Sequence, residues 1–346
     1  MPDSSSTPSP QPLDALFLSG IPDDGLAIVK EANNRHTLYL SGSSNLYDYL
    51  RHPLLRGRHI LLNTYVNEKI TVGKTGLLVN CVSDPDSHKK ALATVQRFEQ
   101  TLNIPVFNSS ALIEKTRRDR VWQILKDVPG LSVPRTEMVE AAHPDEILAA
   151  ADRLGLQYPL LVRRPGHHGG EALLKLDSPE AIRDLDVFAF DGTPFFLAEF
   201  VDYADDQGVY RKARLAVVKG RPFIRHSLVS DRWMVHASAR EAELMQQAKF
   251  REEEEALIAS FETEIRPWVE PITQTIREHL PLQYFGMDVC IRPDNSLLLF
   301  ELNVVMNMLA EIPKPMPAAM REQYEMIKTA LLEALFETAY AGQGHG

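Results

Sequence analysis

The chain has two cysteines, Cys81 and Cys290, in 346 residues. That scarcity excludes a disulfide framework and a thiolate zinc site. It also lacks any apolar run near the roughly 18 residues that a membrane helix requires. Positive charge is short as well. The net charge of −10 gives no global attraction to nucleic acid or to an anionic membrane, so neither is expected as a partner. Neither the Walker spacing nor the dinucleotide glycine fingerprint occurs, and no compact pair of histidines suggests a metal hydrolase. No internal repeat is present. Residues 1–12 are Ser/Pro-rich without a basic start or an apolar centre. They read as a disordered tail rather than a signal peptide, and a reducing cytoplasm follows by default.

What is present is an ordinary soluble composition, 44% apolar and 24% charged, in a chain longer than one core usually organises. The spacing predicts buried strands over Ile60–Tyr65 and Gly76–Val82, a helix over Ser87–Leu102 and a short strand at Pro105–Asn108. Strand–helix–strand order argues an α/β layer with parallel strands across residues 13–110. One helix is expected from Ser109 to Val128 and another from Pro144 to Leu154. Beyond Phe195 strands dominate, at Phe195–Val201, Val209–Val218 and Pro222–Ser230. The charged stretch Arg240–Glu270 reads as a helix whose Glu252–Glu255 run faces solvent. The lobes are drawn at 13–110, 111–194 and 195–340.

The richest chemistry lies between Gln283 and Met308. Two apolar runs flank the turn-forming Pro293-Asp294-Asn295-Ser296, which predicts a β-hairpin. A two-residue or a four-residue loop sets Asp288 opposite Glu301 in either case. Alternation along the strand puts Glu301 and Asn303 on one face, with Asp288 beside them. The three could simply point into water. Apolar neighbours on both faces favour a metal site instead, because facing carboxylates buried together need a compensating cation. An all-oxygen set suits Mg²⁺ completed by phosphates, with Mn²⁺ as its alternative. A second segment, Tyr158 to Gly170, is an apolar strand, then Arg163 and Arg164, then His167-His168-Gly169-Gly170. Cations neutralise phosphate, and Gly169 and Gly170 let backbone N–H groups approach its oxygens. Read alone, that loop could equally be an ordinary hairpin connection.

In combination these segments resemble the ATP-grasp superfamily over about Ile113–Leu309. The likeness is to its carboxylate–amine ligases, such as the ribosomal-protein glutamate-adding and glutathione-synthetase-like enzymes. Asp119-Arg120 stands where the family has an Asp-Lys pair, followed by Gly130-Leu131-Ser132-Val133-Pro134-Arg135-Thr136. Arg163, four residues after Pro159, matches the phosphate-binding lysine. Glu199-Phe200-Val201 resembles the adenine hinge, and Arg214-Leu215-Ala216-Val217-Val218 the strand whose Arg lies near the γ-phosphate. Gly286-Met287-Asp288 and Glu301-Leu302-Asn303 match the metal motif. Three departures stand out. Arginine replaces lysine at 120 and 163, Lys212 stands where an acidic residue is usual, and no proline closely follows Asn303.

The resemblance implies an α/β protein in which an N-terminal layer adjoins two α+β lobes clasping ATP. It implies Arg120, Arg163, Glu199, Val201, Gly169 and Gly170 as nucleotide contacts and Arg214 as the catalytic residue. Asp288, Glu301 and Asn303 become the ligands of Mg²⁺. The implied reaction activates a carboxylate as an acylphosphate, which an amine then attacks. Members are often dimers or tetramers, so a homo-oligomer is a further expectation. A small-molecule kinase and a non-catalytic nucleotide-binding module are the alternatives carried. For His167, His168, His226 and His236 a structural or surface role is favoured over metal binding or proton transfer. Trp233 is expected in the core.

Overall fold

A computed structural model of the chain describes residues 11–32, 35–44, 46–62, 71–167, 170, 172–236, 239–240, 242–309 and 316–341. Most of the expected tail, residues 1–10, lies outside them, as do His168 and Gly169.

The N-terminal layer holds β1 (Leu13–Gly20), β2 (Ile28–Ala32), β3 (Arg35–Tyr39), the single turn α1 (Leu46–Tyr49), β4 (Leu55–Leu62) and β5 (Leu77–Asn80). It continues through helix α2 (Lys89–Leu102) to β6 (Val106–Phe107). Strands β4-β1-β5-β6 form one sheet, and every pairing in it is parallel. β1 is almost wholly buried, the pattern of a strand covered on both faces. The strand predicted from Ile60 begins earlier, at Leu55, and its expected end at Tyr65 lies outside the described residues.

The single helix expected over Ser109–Val128 is broken. α3 (Ser110–Ile113) passes through a 3₁₀ turn, Glu114–Thr116, to Arg117, which adopts an extended backbone. The Thr116 hydroxyl donates to the Ile113 carbonyl at 2.7 Å, and Arg117 turns onto Asp119 at 2.6 and 2.7 Å. Helix α4 (Arg118–Leu125) therefore starts afresh at Arg118 and leads to β7 (Leu131–Ser132).

A second sheet, in the order β10-β9-β11-β8, is antiparallel and comprises β8 (Thr136–Val139), β9 (Leu160–Arg163), β10 (Leu173–Leu176) and β11 (Phe195–Glu199). Helix α5 (Pro144–Leu154) packs beneath it, over a core of Ile147, Leu160, Val162, Phe195 and Leu197. The strand that opens the last stretch of sequence, β11, thus closes the central sheet, since it pairs with both β8 and β9.

The third sheet runs β13-β12-β14-β15-β7, from β12 (Tyr210–Val218), β13 (Arg221–Ser230), β14 (Tyr284–Ile291) and β15 (Leu297–Val304), with β7 added in parallel. The charged stretch after 240 divides into α6 (Glu243–Gln246), α7 (Ala248–Ser260), one π-helical turn and α8 (Arg266–His279). Glu252, Glu253 and Glu255 are exposed as expected. Glu254 is buried, holding Arg240 and accepting from the Ser227 N–H. Helix α9 (Ala318–Tyr340) packs against β12 and β13 and also against β5 and β6. One continuous core consequently joins Phe17, Leu78 and Phe107 of the first sheet to Leu215, Met287 and Leu331.

Candidate active site

The hairpin β14–β15 sets Asp288 opposite Glu301, as its pattern predicts. The route differs from either expected loop. Three residues, Pro293–Asn295, close the turn, with Asn295 in the left-handed region at φ 58° and Arg292 bonded to Ser296. That loop alone would shift the register by one. A bulge corrects it: Val289 pairs with Leu299 and Asp288 with Glu301, leaving Phe300 as the extra residue. The Phe300 carbonyl accepts from Arg118 Nη1 at 3.3 Å, while its ring packs on Tyr203.

Asp288, Glu301 and Asn303 line one cavity of about 450 Å³. Arg214 lies directly opposite Asp288 on β12 and grips both its oxygens, Nε at 2.7 Å and Nη2 at 2.9 Å. Lys212, two residues earlier, brings Nζ to 3.2 Å from Oδ2 of the same carboxylate. Burial alone would raise the Asp288 pKa, but Arg214 and Lys212 reverse that and hold the carboxyl below its usual range. Burial likewise opposes the charge on Arg214, and Asp288 more than restores it. Glu301 is paired to Arg118.

Arg163 lines the same cavity, and its pKa is pushed down to about 9 by burial and then by the charge of Arg118. Its Nη2 donates to the His167 carbonyl, and among the described residues its buried Nε has no acceptor. A cation this poorly compensated is a ready anion site. Arg164 bonds Asp191 and the Ala189 carbonyl, and of the two adjacent cations Arg163 lines the main cavity while both line a polar branch of it.

The cavity also has an apolar and aromatic lining, with Phe200, Val201, Tyr203, Trp233 and Leu161. Trp233 is half-buried there, edge-on to Phe200, rather than in the core. Glu199 lines the cavity too, its carboxylate accepting from the Gln157 N–H at 3.0 Å. Gly170 has φ 81°, and a side chain there would meet the Met234 sulfur at 2.8 Å, so the two residues touch in the cavity wall.

Arg120 is not brought to the site. Its side chain is 54% exposed and bonds Gln123 on its own helix. Two residues are about 200° around an α-helix, so with α4 starting at Arg118 the cavity receives Arg118 instead. Of the histidines, His236 lines the cavity and His167 a polar branch of it. His226 stays on β13 beside Arg214, where burial and then the Arg214 charge hold its pKa well below the ordinary value.

The polar branch shares Arg118, Arg163, Glu301 and Asn303 with the main cavity and extends to Asp84 and Asp86 of the β5–α2 loop. Asp84 accepts from the Ser87 hydroxyl at 2.7 Å and the Asp86 N–H at 2.8 Å. Burial, then Asp84, raises the Asp86 carboxyl to about 6. Sequence reasoning missed both. The only available signal was an acidic, proline-containing turn ahead of a helix.

No group of three His, Cys, Asp or Glu able to hold a metal exists among the described residues. An ion here would need Asn303 and non-protein oxygens beside Asp288 and Glu301. That hard, all-oxygen donor set fits Mg²⁺ completed by phosphates.

No sequence-family model matches the chain, and no curated protein matches it either. Solved structures do. The VanG D-Ala:D-Ser ligase of Enterococcus faecalis superposes with a TM-score of 0.57 at 11% identity, covering 95% of this chain and 100% of that one. The D-alanine–D-alanine ligase of Bacillus anthracis, complexed with ATP, gives 0.54 at 14% identity over 95% and 98%. The macrocyclase MdnC of Microcystis aeruginosa, bound with precursor peptide MdnA, gives 0.53 at 12% identity over 93% and 99%. The chain has the ATP-grasp fold. In ATP-grasp terms, the cavity lies between the central sheet and the last one. The N-terminal layer adds Gly42, Ser43 and Ser83 to its wall.

Proposed function

We propose that the chain is an ATP-dependent ligase joining a carboxylate to an amine, with ADP and phosphate as the other products. One observation carries this reading: a single cavity is lined both by aromatic groups suited to a base and by Arg118, Arg163, Lys212 and Arg214 together with Asp288, Glu301 and Asn303. A bound Mg²⁺, held by those last three, would supply charge neutralisation on the phosphates. The chain's own groups do the rest. Arg163 and Arg118 bind and orient the triphosphate, and Arg214 fixes Asp288 while adding positive charge where negative charge develops. Exclusion of water, which an acylphosphate requires, would fall to the cavity walls, Gly170 and Met234 among them.

The polar branch supports a second substrate. Asp84 and Asp86 would accept hydrogen bonds from a neutral amine next to Glu301, in a branch that Arg117, Arg118, Arg163 and Arg164 also line. The D-alanine ligases and the peptide-bound macrocyclase suggest an amino acid or a peptide as the acceptor class.

The test is ADP release measured against panels of carboxylates and amines, with hydroxylamine as a trap. Turnover that needs both partners, and a hydroxamate when hydroxylamine replaces the amine, is the expected result. A stable phosphorylated alcohol with no hydroxamate would assign the site to a kinase instead.

A further inference from the structure

Asp288 carries more positive charge than a metal ligand should. Lys212 and Arg214 are two apart on β12 and share a face, so both reach the carboxylate across the β12–β14 pairing. Arg214 occupies both oxygens, Lys212 adds a third contact to Oδ2, and the Asp288 side chain is only 4% exposed. A divalent ion approaching alone would meet four cations, Arg118, Arg163, Lys212 and Arg214, against Asp288 and Glu301, with Glu199 the third carboxylate of the cavity lining. Coulomb repulsion at these separations disfavours it strongly. A metal–triphosphate complex is net negative, and the same surroundings attract it.

We propose that Lys212 is a positioning residue that holds Asp288 until a metal–nucleotide complex arrives and then passes to the phosphates, so that ion and nucleotide bind only together. Of the two cations on Asp288, Lys212 is the one built to move. Arg214 is locked as a two-pronged fork in mid-sheet, whereas Lys212 makes one contact through a flexible four-carbon stem and lines the cavity. Its departure vacates one lone pair of Oδ2, which then keeps only its bond from Arg214, at the moment phosphate charge replaces that of the carboxylate. The inference rests on the assignment of Asp288 to the metal–nucleotide site.

The experiment is Mn²⁺ binding followed by electron paramagnetic resonance on the full chain, with and without an imido-bridged, non-hydrolysable ATP analogue. Wild type should bind Mn²⁺ weakly alone and tightly with the analogue. Lys212→Met should bind Mn²⁺ alone at least about tenfold more tightly and the Mn²⁺–analogue pair about tenfold more weakly. Lys212→Arg should restore much of the coupling, and Lys212→Gln serves if the Met variant does not fold. Unchanged Mn²⁺ affinity in both conditions, with or without a loss of thermal stability, would reduce Lys212 to a structural ion pair and overturn the proposal. Absence of Mn²⁺ binding by wild type even with the analogue would instead refute the metal–nucleotide site itself.

Discussion

Arg163 and Asp86 are both charged groups whose surroundings disfavour their charge, and each gives a measurable consequence. Burial lowers the Arg163 pKa, and its Nε has no acceptor among the described residues, so phosphate is the partner that would relieve it. A charge-assisted hydrogen bond contributes about 1.5–3 kcal/mol. Arg163→Ala should therefore weaken ATP binding roughly ten- to hundredfold by calorimetry, while the exposed Arg153→Ala leaves it unchanged. Asp86 is the reverse case. Its folded pKa, about 6, lies above the ordinary carboxylate value, so the native state binds the extra proton between those two pH values. Stability from this group rises as pH falls through 6. At pH 8 the ionised carboxylate is a net cost, and Asp86→Asn should stabilise the fold by on the order of 1–2 kcal/mol after allowance for its partial exposure. The gain should vanish below about pH 4. Denaturant unfolding at both pH values checks this, and the same variant should raise KM for the amine.

Among the elements, the β14–β15 hairpin owes its function to a bulge and to one glycine. A β-carbon on Gly286 would lie 2.5 Å from both Met306 Cβ and Met308 Cε. The first of these is fixed near the backbone and cannot swing aside. The segment after β15 must lie flat on Gly286, and Tyr284 holds it there through the Met306 carbonyl. Gly286→Ala should cost about 1–3 kcal/mol by overpacking and lower the thermal midpoint. It should also displace Asn303, so metal-dependent nucleotide affinity should fall more than stability alone explains. Helix α4 teaches the same lesson in another form. One helix is expected from 109 to 128, but the extended backbone of Arg117 resets the helical phase and exchanges Arg120 for Arg118 at the cavity.

For the whole molecule, the decisive joint lies between the N-terminal layer and the third sheet. Asn108 is fully buried with φ 59° and makes four bonds across it. Its N–H donates to Gln283 Oε1 at 2.7 Å and its Nδ2 to the Tyr284 carbonyl at 2.6 Å. Its Oδ1 accepts from the N–H groups of Gln283 and Tyr284 at 2.8 and 3.2 Å. Tyr284 begins the strand that carries Asp288, so this clamp ties the layer holding Asp84 and Asp86 to the carboxylates of the β14–β15 hairpin. Asn108→Ala strands buried polar groups and forces a β-carbon into left-handed backbone, which should cost about 2–5 kcal/mol. Asn108→Gly removes the backbone strain alone and should recover only part of that. Urea midpoints of the two variants separate the contributions, and an equal loss for both would assign the whole effect to the hydrogen bonds.

Sequence alone determined the local and periodic features. Alternation on β14 and β15 placed Asp288, Glu301 and Asn303 on one face, because strand side chains repeat every two residues whatever surrounds them. Strand–helix–strand order disclosed the parallel first sheet, and the spacing of α2 and α5 disclosed those helices nearly to their ends. Only tertiary structure decided which cations meet those carboxylates. Arg118 reaches Glu301 across 183 positions, and Lys212 and Arg214 reach Asp288 across 76 and 74. Asp84 and Asp86 arrive from a different sheet altogether. Such long-range meetings depend on how sheets stack and where a helix restarts, and no periodicity along the chain encodes them. The charge balance that makes the cavity receptive to an anion is therefore a property of the packed molecule.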